Sequence, residues 1–400
     1  MEIEEALKRL TEETGALKET ELLPIVEACG HVTSEDIYAP GPVPSFERSA
    51  MDGYAVRCDD IKSAEAEEPV LLKVIGELYA GDFSEISCES GSAVRVMTGA
   101  MIPDGCDAVI RQEDTDYGES EVKVFSPVSR GMNICPVGEE FPEGKLVLKK
   151  GRRIGRIETG VLASLGMASV KTVRTPGVAI LSTGSELARP GEPLPRGHIY
   201  GNISYMLQVS VRNAGMNVVY DEFAGDDKEL IKSGIQKALS LADIVITTGG
   251  VSVGKRDLMH SVLDEIGAKK VFFNASIQPG TPTIGSVYDG KVILSLSGNP
   301  YAALANFDYY FYPVAAKLTG CGAFIPRVTE AVLAEPYDKV NRMRRLVRAY
   351  EEDGRVYMRA KGHKSSEFFN MADCNCYIDV PKGTGLMVGD RVRIRKYEGR

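Results

Sequence analysis

Three segments that combine hydroxyl side chains with glycine each follow a short apolar run of the chain. They are Ser182-Thr183-Gly184-Ser185-Glu186, Thr247-Thr248-Gly249-Gly250 and Ser297-Gly298-Asn299-Pro300. In each segment, hydroxyls and bare glycine N–H groups precede a stretch with helical periodicity, and the N-terminus of a helix attracts anions. Three matching segments are stronger evidence than one glycine loop, and together they predict a crevice that binds an anion or a nucleotide.

The second segment continues to an acidic residue, Asp257. Residues 243–257 read DIVITTGGVSVGKRD, an apolar strand followed by a glycine loop in which Gly254 loosens the turn again. A carboxylate beside a bound anion indicates a metal ion or a proton transfer, because two negative charges otherwise repel each other. The residues leave a second interpretation open, in which the loop is a tight strand–helix turn and Asp257 caps the helix.

Two common nucleotide-binding signatures do not fit this loop. Residues 249–255 match the Walker A pattern, but Arg256 occupies the position of the Ser or Thr that binds Mg²⁺. The dinucleotide fingerprint G-x-G-x-x-G is also absent after the first strand of the same region, residues 178–182. A P-loop nucleotidase is therefore only a distant alternative.

Composition narrows the class of protein. The 400 residues are 44% hydrophobic, which predicts two to four domains with buried cores. The net charge of −9 argues against nonspecific nucleic-acid binding, and no apolar run is long enough to span a membrane. Eight scattered cysteines without a C-x-x-C pair, together with four histidines, argue against zinc and favour a reduced, cytoplasmic protein.

The order of periodic patterns predicts an α/β and β multidomain fold. Alternating strands and helices over 174–325 indicate a three-layer α/β domain with a mainly parallel sheet, whose site lies at the carboxyl ends of the strands. Residues 1–45 and 135–173 form an N-terminal domain, with a helix over 2–15 and a second short helix ending at Gly30. Residues 46–134 are a β-domain inserted into it, and 326–400 are a small C-terminal β-barrel.

Two motifs carry a family resemblance. The segment TGGVSVG at 248–254 with Asp257, and the segment SAMDGYAV at 49–56, resemble the molybdopterin molybdenumtransferase family, which includes MoeA and the C-terminal domain of gephyrin. Segments 97–100, 103–108, 182–184 and 298–300 also fit the family, in the same order. The resemblance covers essentially the whole chain and implies the same four-part layout, in which the N-terminal domain links the others and forms a dimer.

The resemblance implies an enzyme of molybdenum cofactor biosynthesis. Such an enzyme inserts molybdenum from molybdate into adenylated molybdopterin, uses Mg²⁺ and releases AMP. It implies a cytoplasmic homodimer that binds neither nucleic acid nor membrane. It also implies contacts with the upstream molybdopterin adenylyltransferase and with downstream cofactor-handling proteins.

Site residues are carried over from the family by position. Asp52, Glu186 and Asp257 are the expected catalytic acids, and Glu186 and Asp257 the expected Mg²⁺ ligands. Asp52 and Thr98 are expected to face the crevice of the partner subunit, whereas Arg345 and Ser366 come from the C-terminal domain. The expected substrate-binding set is Thr98, Thr183, Gly184, Ser185, Asp226, Thr248, Gly249, Gly250, Ser252, Gly254, Asn274, Gln278, Gly298, Asn299, Pro300, Arg345 and Ser366.

Structural alternatives remain for three of these residues. Asp226, like Asp227, is also a candidate N-cap of the following helix. Asp52 with Gly53 is also compatible with a simple turn, and Arg345 with an ordinary solvated strand residue.

One segment departs from the family pattern. Family members carry lysines in a stretch resembling K-x-x-x-K-P-G-K-P, whereas this chain has Asn274, Gln278 and Thr281 at the three lysine positions. The family's lysines hold anionic oxygens, so the change predicts weaker binding of the oxyanion. A molybdopterin-binding or scaffolding paralogue without turnover, and an insertase that uses tungstate, are therefore the alternatives.

Overall fold

The structure is a computed structural model that describes residues 1–251, 258–358 and 368–397. The site candidates Ser252, Gly254, Asp257 and Ser366 lie outside the described residues. The chain divides into two compact units. The first consists of Met1–Glu35, Lys150–Thr159 and Ser169–Arg400, and the second of Asp36–Lys149 and Gly160–Ala168.

The described ranges contain six α-helices. They are α1 (Ile3–Glu13), α2 (Arg156–Ser164), α3 (Ile203–Asn213), α4 (Lys228–Leu241), α5 (Met259–Glu265) and α6 (Pro300–Thr319). Helix α1 buries Ile3, Ala6 and Leu10, which share one face at helical spacing. Among the described helices, none joins the length to the apolar character that a membrane crossing would need.

The first unit contains sixteen described strands, six of which form a central sheet. The strands are β1 (Thr20–Pro24), β11 (Ser169–Val173), β12 (Gly177–Thr183), β13 (Leu187–Ala188), β14 (Ile199–Tyr200), β15 (Asn217–Ala224), β16 (Ile244–Thr248), β17 (Lys269–Phe273), β18 (Ile277–Gln278), β19 (Ile284–Tyr288), β20 (Lys291–Leu296), β21 (Val328–Leu333), β22 (Arg344–Glu352), β23 (Arg355–Tyr357), β24 (Cys376–Val380) and β25 (Arg391–Lys396). The central order is β15-β12-β16-β20-β19-β17, in which β19 runs antiparallel to both neighbours and the other pairs are parallel.

Helices cover both faces of this sheet. Alternate residues of each strand point to opposite faces, and in β12 both sets are apolar and packed against helices. Val178 and Ile180 of β12 pack with α1, α3 and α6, whereas Ala179 and Leu181 pack with α4 and α5. The three-layer α/β domain with a mainly parallel sheet is therefore confirmed. The sheet also contains β19, an antiparallel strand that the alternation of strands and helices does not predict.

The second short helix predicted to end at Gly30 is wrong. Residues Thr20–Pro24 instead form β1, which pairs antiparallel with β11 over its whole length. The side chains of β1 alternate between exposed and half-buried, which is the period of a strand rather than that of a helix.

The C-terminal strands close into a small barrel. Pairings run from β22 to β23, β21, β25, β24 and back to β22, so the ring has no free edge. Val347, Ala349 and Ile378 are among the residues that fill its interior. The short strand β18 adds to the barrel beside β22. The predicted C-terminal β-barrel is confirmed.

The second unit is built on a five-stranded sheet and two short two-stranded pairings. The strands of the unit are β2 (Ile37–Tyr38), β3 (Arg48–Ser49), β4 (Gly53–Val56), β5 (Val70–Leu78), β6 (Ser92–Val96), β7 (Ala108–Arg111), β8 (Glu121–Val124), β9 (Ile134–Cys135) and β10 (Leu146–Leu148). The short pairings are β2 with β10 and β3 with β9. The sheet order is β7-β4-β6-β5-β8, and all four residues of β4 are buried in it. The inserted β-domain is confirmed by this sheet.

Candidate functional site

Three parallel strands end at the same edge of the central sheet. In the register, Ser182 of β12 lies opposite Thr248 of β16, and Thr248 lies opposite Leu296 of β20. The three hydroxyl-and-glycine segments therefore start side by side. They open onto a pocket of about 650 Å³, which we call the strand-end pocket, lined by Ser182, Thr183, Gly184, Glu186, Leu187, Ile199, Tyr200, Gly201, Asn202, Ile203, Asp226, Thr248, Gly249, Gly250, Val251, Pro282, Ser297, Gly298 and Pro300.

Glycine is required where these strand ends approach each other. Gly249 has a φ of 89°, and a Cβ atom there would lie 2.4 Å from the Thr183 carbonyl oxygen. The Gly249 N–H donates to the Leu296 carbonyl at 3.0 Å, and the Thr183 hydroxyl donates to the Thr248 carbonyl at 3.1 Å. These bonds tie the first residues after the strands together, so the polar floor of the pocket belongs to the sheet rather than to a loose loop.

Two carboxylates from the described residues line the pocket, those of Glu186 and Asp226. The Asp226 N–H donates to the Ser185 hydroxyl at 2.8 Å, and the Ser185 N–H donates to the Asp226 carboxylate at 3.3 Å. This reciprocal pair joins the turns that follow β12 and β15. The cap of α4 is the next residue, Asp227, whose carboxylate accepts from the Leu230 N–H at 2.9 Å. Asp226 therefore lines the pocket, whereas Asp227 is the N-cap of α4.

The charge of the described lining is negative. It contains Glu186 and Asp226, and neither a lysine nor an arginine among its described residues. An anion bound here would therefore be held by N–H groups, by hydroxyls and by a cation that the carboxylates hold. Carboxylate oxygens are suitable ligands for Mg²⁺, which usually takes one or two carboxylates and keeps several waters. The described residues contain no cluster of three or more His, Cys, Asp or Glu that could hold a metal.

Sequence reasoning missed one wall of the pocket. The short parallel pair β13 and β14 and the start of α3 supply Ile199, Tyr200, Gly201 and Asn202. Ile199 and Tyr200 are 57% and 44% exposed, so a large apolar surface faces the cavity. Two apolar residues followed by Gly-Asn before a helix were a turn signal in the sequence. Nothing in that local pattern indicates that the turn folds back over the strand ends.

The segment at the family's lysine positions lies beside the pocket rather than in its lining. Asn274 has a φ of 60°, and its side-chain oxygen is buried without a hydrogen-bond partner. The Gln278 side chain is exposed, and the Thr281 hydroxyl donates to the Ile277 carbonyl at 2.7 Å. Pro282, the next residue, does line the pocket.

Arg345 lies directly opposite Gln278 where β22 pairs with β18. It is only 8% exposed, and its guanidinium donates to the Asn341 side-chain oxygen at 3.3 Å. The structure thus brings two predicted site residues together at the edge of the barrel. Arg345 is not the solvated strand residue of the alternative interpretation.

Asn299 supports the pocket from outside its lining. Its carboxamide oxygen caps α6 by accepting from the Ala302 N–H at 3.1 Å, and its own N–H donates to the Ser297 hydroxyl at 3.2 Å. The predicted site residues of these turns therefore fall into two groups. Ser185 and Asn299 accept hydrogen bonds from backbone N–H groups. The residues that line the cavity are Thr183, Gly184, Thr248, Gly249, Gly250, Gly298 and Pro300.

Asp52 and Thr98 form a pair within the second unit. The Asp52 carboxylate accepts from the Thr98 N–H at 2.7 Å and from the Thr98 hydroxyl at 2.8 Å. The backbone bond, and after it the hydroxyl bond, hold the pKa of Asp52 below its usual value. The structure thus supports the grouping of these two residues.

Known sequence families match almost the whole chain. Residues 1–166 match the MoeA N-terminal region (domain I and II), residues 179–317 match a probable molybdopterin binding domain, and residues 330–397 match the MoeA C-terminal region (domain IV).

Individual relatives and solved structures agree with these families. A molybdopterin molybdenumtransferase of Staphylococcus epidermidis is 35% identical over 396 residues, which cover 98% of this chain and 94% of the relative. The enzyme of the same name from Staphylococcus aureus is 33% identical over 399 residues, with 98% and 94% covered. A crystal structure of the molybdopterin biosynthesis MoeA protein from Pyrococcus horikoshii is 32% identical, covers 100% of both chains and superimposes with a TM-score of 0.87.

Proposed function

The chain belongs to the molybdopterin molybdenumtransferase (MoeA) family, and we propose that the strand-end pocket is where it binds and cleaves adenylated molybdopterin. It is an enzyme, a transferase of molybdenum cofactor biosynthesis. One observation carries the assignment of the pocket. Three strand ends with hydroxyls and glycine N–H groups meet two carboxylates at one edge of the sheet.

The pocket suits a nucleotide-like substrate in size and polarity. Its volume of about 650 Å³ is in the range of ligand sites, and its floor offers the N–H groups of Gly250 and Gly298 and the Ser182 hydroxyl. These donors bind phosphate oxygens in the proposed complex. The exposed faces of Ile199 and Tyr200 supply an apolar wall on which a heterocyclic ring packs.

Glu186 and Asp226 are the described residues that would hold Mg²⁺, together with Asp257 as the family resemblance implies. The lining fits the ion because it presents carboxylates without a described cationic side chain to neutralise them. When bound, Mg²⁺ neutralises the negative charge that develops on phosphate oxygens as a phosphoanhydride is cleaved. The N–H groups of Gly250 and Gly298 orient the same phosphate, and the Ser185–Asp226 pair fixes the turn that carries the acid.

We infer that the working form is a cytoplasmic homodimer in which Asp52 and Thr98 serve the pocket of the partner subunit. The family resemblance motivates this arrangement, and all eight cysteines, which lie in the described ranges, are free thiols as expected in a reducing compartment. Light scattering coupled to gel filtration is expected to give twice the chain mass at micromolar concentration. A stable monomer would remove the proposed role of Asp52 and Thr98.

The activity is tested by incubating the purified chain with adenylated molybdopterin, Mg²⁺ and either molybdate or tungstate. The proposal expects AMP release that requires an oxyanion and stops when a chelator removes Mg²⁺. Tight binding of adenylated molybdopterin without AMP release, with both oxyanions, would instead identify a binding paralogue. No binding at all would contradict the assignment of the pocket.

A further inference from the structure

The apolar wall of the strand-end pocket stands on a short pair of strands. β13 and β14 pair over only two residues each. The Ile199 N–H donates to the Glu186 carbonyl at 2.8 Å, and the Gly201 N–H donates to the Ala188 carbonyl at 3.0 Å. A pair of strands this short is marginally stable by itself in water. The shape of the wall therefore depends on contacts with the rest of the domain.

The ring of Phe223 supplies the first of these contacts. Phe223 lies in β15, at the edge of the central sheet. A Cβ atom added to Gly201 would lie 2.8 Å from the Cζ atom of Phe223, so the ring packs directly against the Gly201 backbone. Gly201 lines the cavity, whereas Phe223 is not part of the described lining. The ring thus supports a residue of the wall from outside that lining.

Arg189, the residue after β13, lies on the same ring. Its Cζ atom is 4.6 Å from the centroid of the Phe223 ring. Its Nη2 donates to the Glu222 carboxylate at 3.0 Å, and its Nη1 lies 3.7 Å from the Asp221 carboxylate. A planar guanidinium can stack on an aromatic ring and pair with carboxylates at the same time, which an ammonium group cannot match. Arg189 therefore fastens the end of β13 to β15.

Asp221 extends this network to the helix that follows β14. Its carboxylate accepts from the Ser204 hydroxyl and, at 3.1 Å, from the Gln208 carboxamide nitrogen, both of which belong to α3. The residues that enter α3, Asn202 and Ile203, line the cavity. β15 therefore holds both ends of the wall, the segment after β13 and the helix after β14.

We propose that Arg189 and Phe223, the bracing pair, are positioning residues that hold the apolar wall in the shape that binds the heterocyclic part of adenylated molybdopterin. The proposal rests on the function proposed above for the strand-end pocket. The bracing pair acts on the substrate only through the wall residues Ile199, Tyr200 and Gly201. Because only molecules with a formed wall bind the ring, the apparent affinity falls with the fraction of molecules in which the wall is formed.

The acids of the pocket have supports of their own. The Leu187 N–H donates to the Gly184 carbonyl at 3.2 Å and closes the turn that contains Glu186. The reciprocal bonds between Ser185 and Asp226 close the neighbouring turn. Neither support involves a side chain of the bracing pair. Loss of the bracing is therefore expected to raise the KM for adenylated molybdopterin and to leave kcat nearly unchanged.

The first test measures AMP release by full-length Arg189→Met and Phe223→Leu while adenylated molybdopterin is varied at saturating Mg²⁺ and oxyanion. We expect the KM to rise at least ~3-fold and kcat to change less than ~2-fold. Arg212→Met is the matched control, because it removes the same charge from an exposed position in the last turn of α3. It is expected to keep the wild-type KM.

The second test does not depend on turnover. Hydrogen exchange of the Ile199 and Gly201 amides reports on the bonds that close the wall. We expect these two amides to exchange at least ~3-fold faster in both bracing variants than in the wild type, whereas the amides of β16 keep their wild-type rates. Faster exchange throughout the central sheet would show global destabilisation instead and would contradict a local role.

The outcomes separate this proposal from the function of the pocket. A wild type that turns over the substrate, with the same KM and the same amide exchange in both bracing variants, would overturn the bracing role alone. A fall in kcat at an unchanged KM would also overturn it. A wild type that neither binds nor cleaves the substrate would contradict the proposed function, and with it the role of the wall in binding. If Phe223→Leu does not fold, Arg189→Met decides, because the Arg189 side chain is 35% exposed and its loss leaves no buried cavity.

Discussion

Asp52 in the second unit and Glu186 in the strand-end pocket differ in the hydrogen bonds that their carboxylates already make. In the second unit, Asp52 accepts an N–H and a hydroxyl from Thr98, so its position and charge are fixed by the protein itself. In the strand-end pocket, the Glu186 side chain makes neither a hydrogen bond nor an ion pair within the described part of the chain, and it faces an open cavity. A carboxylate whose bonds are already made can orient a neighbour, whereas one left facing a cavity can bind a ligand.

The difference separates positioning from binding. Asp52 has its pKa lowered by its bonds to Thr98, so it stays ionised at neutral pH without any ligand. Glu186 and Asp226 share one cavity that contains no cation from its described lining, so their negative charges are best balanced by an ion that arrives with the substrate. Substitution of a pocket acid should therefore lower the rate of AMP release. Substitution of Asp52 should change how the free energy of unfolding depends on pH.

The largest effect is expected for Glu186→Gln. Loss of a Mg²⁺ ligand removes stabilisation of the charge on the phosphate, so AMP release should fall more than ~100-fold. The fold should be unchanged because the side chain is exposed. Glu229→Gln, at an exposed glutamate in the first turn of α4, is the matched control and should keep its activity. A Glu186→Gln enzyme with a near-normal rate would show that this acid does not hold the ion.

Next is Gly249→Ala, which tests the floor of the pocket. A Cβ atom would lie 2.4 Å from the Thr183 carbonyl oxygen at a φ of 89°, so the free energy of unfolding should fall by about 2–3 kcal/mol. Gly298→Ala is the control, because its Cβ would meet only the Gly249 backbone, with the nearest atom, Cα, at an ordinary 3.5 Å. The free energies of unfolding of both variants are measured with urea. Equal destabilisation would show that Gly249 does not approach the Thr183 carbonyl as closely as 2.4 Å.

A smaller gain is expected from returning a lysine to the neutral segment. Gln278 is exposed, so Gln278→Lys adds a charge at little packing cost, but the like charge of Arg345 across β18 and β22 opposes it. A nearby charge, offset by the cost of ordering and desolvating it, is worth about 1 kcal/mol, so the apparent KM for molybdate should fall at least ~5-fold.

The double variant with Asn274→Lys should gain more affinity but lose stability, because Asn tolerates a φ of 60° better than Lys does. Gln278→Met is the neutral control for the single variant. An unchanged KM in both lysine variants, or a wild type already saturated at micromolar molybdate, would place the oxyanion elsewhere.

The smallest effect concerns Asp52 and pH. Its pKa is lower in the folded state than in the unfolded state, so its bonds to Thr98 stabilise the fold above the unfolded pKa. That contribution is lost as the pH falls through the folded value. The difference in urea midpoint between wild type and Asp52→Asn should therefore be larger near pH ~7 than near pH ~3. The same difference at both values would show that the pair contributes no ionic stabilisation.

Sequence patterns predicted the architecture because each layer has its own periodicity. The apolar runs of β12, β16 and β20 and the amphipathic stripes of α3 and α4 imply a parallel sheet with covered faces, and such a sheet aligns its strand ends. The strand β19 was missed although Asp289 and Gly290, both with positive φ, are the turn of a hairpin between β19 and β20. An Asp-Gly pair between two apolar runs is a hairpin signal that the sequence itself contains.

Other features depend on contacts that no local pattern contains. The choice between Asp226 and Asp227 as the cap of α4 is settled by the Ser185 hydroxyl, which lies on the turn after a different strand. The wall formed by Ile199 and Tyr200 needs the pairing of β13 with β14 to exist. The half-buried position of Asn274, with its oxygen unbonded, follows from tertiary packing rather than from its neighbours in the chain.

The central claim is that the strand-end pocket performs the reaction, and the adjacent acids Asp226 and Asp227 test it most directly. AMP release and urea unfolding are measured for Asp226→Asn and Asp227→Asn under the same conditions. We expect Asp226→Asn to lose at least ~10-fold in AMP release with an unchanged unfolding midpoint, because its carboxylate faces the cavity. Asp227→Asn should keep its activity and lose at most about 1 kcal/mol of stability, because it replaces one helix cap with another. Normal turnover in Asp226→Asn, or equal loss of turnover in both variants, would contradict the claim.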